Sequence, residues 1–153
     1  MNYKIKRFNE LNIEELYKIL ELRSKVFVVE QECPYQDCDG KDKNSYHLFC
    51  EENDKVIAVL RIIDKGISYK EVSIGRVSVD MDYRGKGYAG EMMTKAIDFI
   101  KEELKETEIK IQAQAYLINF YKSFGFQEVS EIYLEDDIPH VDMLYKSCTS
   151  TNI

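Results

Sequence analysis

Arg84-Gly85-Lys86-Gly87-Tyr88-Ala89 is the stretch whose reading decides the fold. It follows an apolar, β-branched run, Val72–Val79, and opens a helix-like run over residues 90–104. A strand that turns through glycines into a helix leaves several backbone N–H groups without partners. They converge on one place, with the partial positive charge of the helix end behind them. Such a turn suits a phosphate or pyrophosphate. The chain is therefore read first as the holder of a phosphorylated cofactor.

Upstream of the turn, residues 3–8 alternate weakly and read as a first strand. Asn12 stands as an N-cap with Glu15 three residues on, and Ile13, Leu16, Leu20 and Phe27 then recur at helical spacing. Arg23 falls inside that stripe. Either its stem packs while its head snorkels to water, or it forms a buried ion pair that orients the next loop. Residues 33–45 break the pattern with Pro34, Gly40 and the cluster Asp37, Asp39 and Asp42. This is a long loop, either functional or simply solvated and acidic. Residues 47–50 and 56–63 are strand-like, with a hairpin turn between them.

Downstream, residues 90–104 place Met93, Ile97, Ile100 and Leu104 on one helical stripe. Residues 109–113 alternate as a strand, and residues 115–124 read as a short helix ended by Gly125. Residues 126–134 and 141–145 are final strands around a turn at Asp136-Asp137-Ile138-Pro139. Strands, helix, strand, helix and strands in that order predict an α/β (α+β) domain, a mixed sheet with helices on its faces. One domain over residues 1–153 is the simplest division.

Composition narrows the functional classes. A formal net charge of −7 argues against a nucleic-acid partner. No apolar run approaches the ~20 residues that cross a bilayer, and the N-terminus lacks a signal-peptide core, so a cytoplasmic location is expected. Cys33, Cys38, Cys50 and Cys148 read as reduced thiols. Cys33, Cys38, His47 and Cys50 can be drawn as a zinc set, but their spacings fit zinc patterns poorly and no metal is expected.

The turn lacks the G-x-x-x-x-G-K-[ST] of a P-loop. Gly85-x-Gly87-x-x-Gly90 formally matches a dinucleotide fingerprint. It follows several strands rather than opening a βαβ unit, however, and the acidic residues about 20 positions on, Glu103 and Glu106, fall on the helix or its end. Arg84-x-x-Gly87-x-Ala89 after Val77-Ser78-Val79 resembles instead the acyl-CoA signature of the GNAT N-acetyltransferases. Asn119-Phe120-Tyr121-Lys122-Ser123-Phe124-Gly125-Phe126, with its Tyr four residues before Gly-Phe, is similar to that family's downstream element. The segments 22–31, 33–35, 39–40, His47, 74–77 and 133–140 resemble its ElaA-type group, with Asp137 where a glycine is usual. The similarity runs over residues 8–145.

This resemblance implies a GNAT fold, with about six to seven strands and splayed central strands forming an acetyl-CoA cleft. It implies acetyl-CoA as cosubstrate and direct attack by a primary amine on a small molecule or peptide. Backbone N–H groups of Arg84, Gly85, Lys86, Gly87, Tyr88 and Ala89 would hold the pyrophosphate. Val77, Val79, Gln114 and Asn119 would hold the pantetheine arm, and Tyr121 would protonate the departing thiolate. The base is left open among Glu71, His47, Glu135 and His140, and Glu30, Asp39, Asp42, Glu135 and Asp136 are candidates to receive a cationic acceptor. A non-catalytic acyl-CoA-binding module is the alternative, and a homodimer is left open.

Overall fold

The computed structural model describes residues 2–147. Eight strands form one sheet: β1 (Tyr3–Arg7), β2 (Ser45–Glu52), β3 (Lys55–Ile63), β4 (Val72–Val79), β5 (Glu108–Gln114), β6 (Phe126–Glu128), β7 (Tyr133–Glu135) and β8 (Ile138–Lys146). Their order is β1-β2-β3-β4-β5-β8-β6, with β7 paired to β8. The fold is the mixed α+β one expected, with one strand more. The run 126–134 splits because the main chain of Asp142 turns to the connecting segment: its carbonyl accepts from Val129 N–H and its N–H donates to Ser130 Oγ, each at 2.9 Å.

Helix α1 (Ile13–Arg23) starts where its capping box demands. Asn12 Oδ1 accepts from Glu15 N–H at 2.8 Å, and Glu15 Oε1 accepts from Asn12 N–H at 3.0 Å. The chain then widens to π geometry over Ser24–Glu30 rather than continuing as α-helix to Phe27. Ile19, Leu22 and Val26 pack on one sheet face against Phe49, Val56 and Val59. Helix α2 (Tyr88–Glu102) buries Tyr88, Met92, Met93, Ala96, Ile97 and Ile100 on the other face, where the larger core lies. The short helix α3 (Ile118–Lys122) adds Tyr121 to that core.

Two irregularities of β4 shape the site. First, β4 and β5 are the parallel pair, and they are in register only at Val72↔Ile109 and Ser73↔Lys110. Beyond Ser73 the two strands part. Second, the ladder between β3 and β4 slips between Val59 and Arg61, and Arg76 takes a left-handed φ of 52°. A bulge of this kind bends a strand and re-aims its side chains. Strand β4 therefore leaves its neighbour as it approaches the glycine turn.

Candidate active site

The gap between β4 and β5 opens a cavity of about 560 Å³. Residues 74–79 of β4 form one wall, and Gln112 and Gln114 of β5 the other. Leu117 and Tyr121 close the side toward α3, and parts of the loop after the π turn cover another. The hairpin of β7 and β8 contributes Glu135, Asp136, Ile138 and His140.

At the glycine turn, Gly85 and Gly87 have φ of 76° and 89°, and Gly87 is the N-cap of α2. A Cβ on either would meet nothing within 4 Å, so the left-handed backbone, not crowding, calls for glycine. The N–H groups of Tyr88, Ala89 and Gly90 have no acceptor within the helix. Arg84 N–H is not part of this set, because it donates to the Met81 carbonyl at 3.4 Å. The open donors therefore begin at Gly85.

The side chains of the turn divide. Arg84 Nε donates to the Val79 carbonyl at 2.9 Å, and its guanidinium forks onto Glu30, with Nη2 at 2.8 Å from Oε1. Its charge is spent on that pair and does not stand free over the turn. The Tyr88 ring is buried, and its hydroxyl donates to Glu52 at 2.8 Å, which leaves only its main chain for a ligand. Lys86 is exposed, with Nζ 5.4 Å from the centroid of the Tyr83 ring.

Val77, Val79, Gln114 and Tyr121 all line the cavity, whereas Asn119 is exposed on α3 and is not part of its wall. Gln114 Nε2 donates to Gln31 Oε1 at 3.3 Å across the gap. Tyr121 is 7% exposed and sits edge-on to Phe120 and Phe126. Burial, and secondarily the nearby Tyr116, pushes its phenol up to about 12.

Of the four base candidates, the structure brings Glu135 and His140 to the cavity and leaves Glu71 and His47 off its wall. His140 Nδ1 donates to the Ile138 carbonyl at 2.7 Å. A carbonyl only accepts, so a neutral ring carries its proton on Nδ1 and keeps a lone pair on Nε2. Asp136 and Asp137 form the two-residue turn before His140 with φ of 52° and 61°. The turn thus needs left-handed residues, which explains a usual glycine there; aspartate is among the residues that tolerate the conformation.

His47 is fully buried, and its Nε2 donates to the Asp42 carbonyl at 3.1 Å. It belongs to a network in which Arg61 and Arg76 join Arg23. Arg23, 1% exposed, donates through Nε to Asp37 at 3.0 Å and through Nη1 to Asp42 at 2.7 Å. Arg61 grips Asp39 at 2.7 Å and reaches Asp42 at 3.0 Å. Arg76 lies 2.8 Å from Asp37 and donates to its main-chain carbonyl at 3.0 Å. Of the two readings of Arg23, the buried ion pair is the one found, and the acidic loop is pinned rather than solvated. Asp39 and Asp42 are thereby spent on arginines and are not open receivers for a cationic acceptor. One signal was present in the sequence. Arg61 interrupts an otherwise apolar run, and a charge at such a place needs a partner.

Cys33 borders the cavity, Cys38 is exposed and Cys50 is buried in the core; Cys148 lies outside the described residues. Among the described residues, no group of three or more His, Cys, Asp or Glu is placed to hold a metal ion. No helix among them is long and apolar enough to cross a membrane.

Residues 11–147 match the acetyltransferase (GNAT) domain family. Protein ElaA of Escherichia coli (strain K12) is 42% identical over 137 residues, covering 88% of this chain and 90% of its own length. This chain belongs to the GNAT acetyltransferase family. The crystal structure of Escherichia coli ElaA superimposes with a TM-score of 0.89 at 38% identity, over 95% of this chain and 100% of that one. An acyl-CoA N-acyltransferase from Pseudomonas aeruginosa gives the same TM-score at 37% identity, over 95% and 99% of the two chains.

The polar network gives this GNAT domain an expected pH response. Burial pushes the His47 imidazole below its ordinary value of 6.5, and the guanidiniums of Arg23 and Arg61 add to this; the Asp42 carbonyl and carboxylate pull the other way and are outweighed. A neutral His47 is the folded form. Its contribution is complete above pH 6.5 and is lost as pH falls, because the unfolded chain takes up the proton first, at up to about 1.4 kcal/mol per pH unit. Burial alone would raise the carboxyls of Asp39 and Asp42, but bonds and charge from the arginines hold both below their ordinary 3.8. Their contribution is complete above that value and is lost only below it. The melting temperature should therefore begin to fall between pH 7 and 5, before Asp39 and Asp42 lose their contribution. His47→Gln, which keeps an N–H for the Asp42 carbonyl, should flatten that first decline. Parallel melting curves for both proteins across this range would remove His47 from the account.

Proposed function

We propose that this GNAT protein transfers the acetyl group of acetyl-CoA to a primary amine by direct attack. One observation carries the reading: a buried tyrosine, Tyr121, lines the same cavity as the end of β4 that leads into the Gly85–Gly87 turn. Acetyl-CoA supplies the activated acyl group when bound. The main-chain N–H groups from Gly85 onward hold its pyrophosphate, with the α2 dipole behind them. The main chain of Val77 and Val79 meets the pantetheine arm, the Val79 carbonyl being shared with Arg84, and Gln114 faces them from β5. Asn119 could contribute only from the exposed rim.

Tyr121 gives its proton to the departing thiolate. His140 takes the proton from the attacking amine through its free Nε2, with Glu135 beside the same cavity. Deprotonating an amine of ordinary pKa costs about 4.6 kcal/mol at pH 7, which is the demand a positioned base meets. The test is an acceptor panel of amines and short peptides with acetyl-CoA, read by thiol release and mass spectrometry. Acetylated amine is the expected product. If acetyl-CoA raises the melting temperature while no acceptor is modified, the protein is a non-catalytic acyl-CoA-binding module.

A further inference from the structure

Most charges on the cavity wall are already paired: Glu30 with Arg84, and Asp39 with Arg61 and Arg76. Among the described side chains of the wall, three formal charges lack an ion-pair partner: Lys41 from the pinned loop, and Glu135 and Asp136 from the β7–β8 hairpin. These two groups lie on opposite sides of the gap. Lys41 belongs with Arg61 on β3, whereas the hairpin is built on β8, and β4 and β5 stand between those strands.

The side with Lys41 also holds an unused donor. Arg61 is 3% exposed and lines the cavity, and its Nε has no hydrogen-bond partner although its Nη atoms are taken by Asp39 and Asp42. A buried donor left without an acceptor is costly, so such a group calls for an explanation. Directly across the ladder from Arg61 stands Gly75, which also lines the cavity. A Cβ there would meet nothing within 4 Å. Opposed residues of an antiparallel pair share a sheet face, so open space lies beside the Arg61 side chain.

We propose that the acceptor is an amine carrying a carboxylate several bonds away, as in an ω-amino acid or a short peptide. The carboxylate docks over Gly75 between Arg61 and Lys41, and the ammonium is drawn to Glu135 and Asp136 beside His140. Three strand spacings separate β3 from β8, at least roughly 14 Å before side chains reach inward, since β4 and β5 part beyond Ser73. An α-amino acid is too short to serve both ends. This inference rests on the transfer reading for its chemistry, but its recognition step is tested by binding alone.

The probes are glycine, β-alanine, 4-aminobutyrate, 6-aminohexanoate, diglycine and triglycine, each beside its carboxamide, titrated calorimetrically into the protein with CoA present. The longer carboxylates should bind at least about tenfold more tightly than their amides, and the optimum chain separates ω-amino acids from peptides. Gly75→Val fills the open space at a position whose backbone suits any residue. It should abolish that preference while leaving the melting temperature and its rise with CoA intact. Lys41→Met, at a half-buried position with no ion-pair partner to lose among the described residues, should reduce the preference several-fold and serves if the first variant folds poorly. Acids and amides binding alike, no member binding, or a preference that survives both variants would each overturn the proposal. Selective binding without acetylation would instead overturn the transfer reading and leave this one standing.

Discussion

Tyr121→Phe should lower turnover about 100-fold while the KM for acetyl-CoA stays within about twofold. The substitution is a clean one. The ring packs edge-on against Phe120 at 5.2 Å and Phe126 at 6.0 Å, and phenylalanine keeps those contacts. Only the hydroxyl is lost. If it donates a proton solely as the thiolate leaves, its removal raises the barrier without touching the ground-state hold on the cofactor, so kcat falls and KM does not.

The elevated phenol sharpens this expectation. With a phenol at about 12 and a thiol at ~8.5, complete transfer is uphill by about 5 kcal/mol, against about 2 kcal/mol for an ordinary tyrosine. The same desolvation raises the thiol as well, which closes part of that gap. A phenol held this high is protonated throughout the neutral range. The pH–rate profile should therefore show an ascending limb from the base and no descending limb from Tyr121 below pH ~10. Turnover of Tyr121→Phe within twofold of the parent would end the acid assignment.

The parts of the fold legible in the sequence are those set by neighbours in the chain. Asn12 and Glu15 announced the start of α1 because a capping box is complete within four residues. The glycine turn announced itself by composition. Tyr88 belongs to two patterns at once. Its main-chain N–H stands in the turn, while its ring, four residues before Met92, follows the buried stripe of α2. The helix begins at Tyr88 rather than Gly90 because Gly87, in its left-handed conformation, is already the cap. What was hidden is non-local. The arginine partners of Asp37, Asp39 and Asp42 lie 14 to 39 residues away on three different elements, and no spacing rule links them. In the candidate site the turn, the place of Tyr121 on the cavity wall and, as one of two readings, the Arg23 pair were thus legible, whereas Arg61 and Arg76 as further fasteners of the loop were not.

That fastening should be the most fragile feature of the domain. Arg23→Met removes one guanidinium from a buried set and leaves Asp37 and Asp42 short of a partner. Breaking a buried pair from one side typically costs about 3–5 kcal/mol. Asp42 keeps Arg61, and Asp37 keeps Arg76 and the Tyr35 hydroxyl, so the lower end is expected. For a domain of this size that corresponds to a melting temperature lower by roughly 10 °C. Adding Asp42→Asn to Arg23→Met should recover part of the loss, because the uncompensated charge goes with the carboxylate. The function should follow the loop. Tyr35, Asp39 and Lys41 line the cavity and are carried by the segment that Arg23 secures, whereas Gly87 of the glycine turn caps α2, which packs on the opposite face. Arg23→Met should accordingly raise the KM for the amine several-fold and leave that for acetyl-CoA nearly unchanged. A variant that melts with the parent, or whose two KM values rise together, would show that the arginine network neither secures the loop nor serves the acceptor side alone.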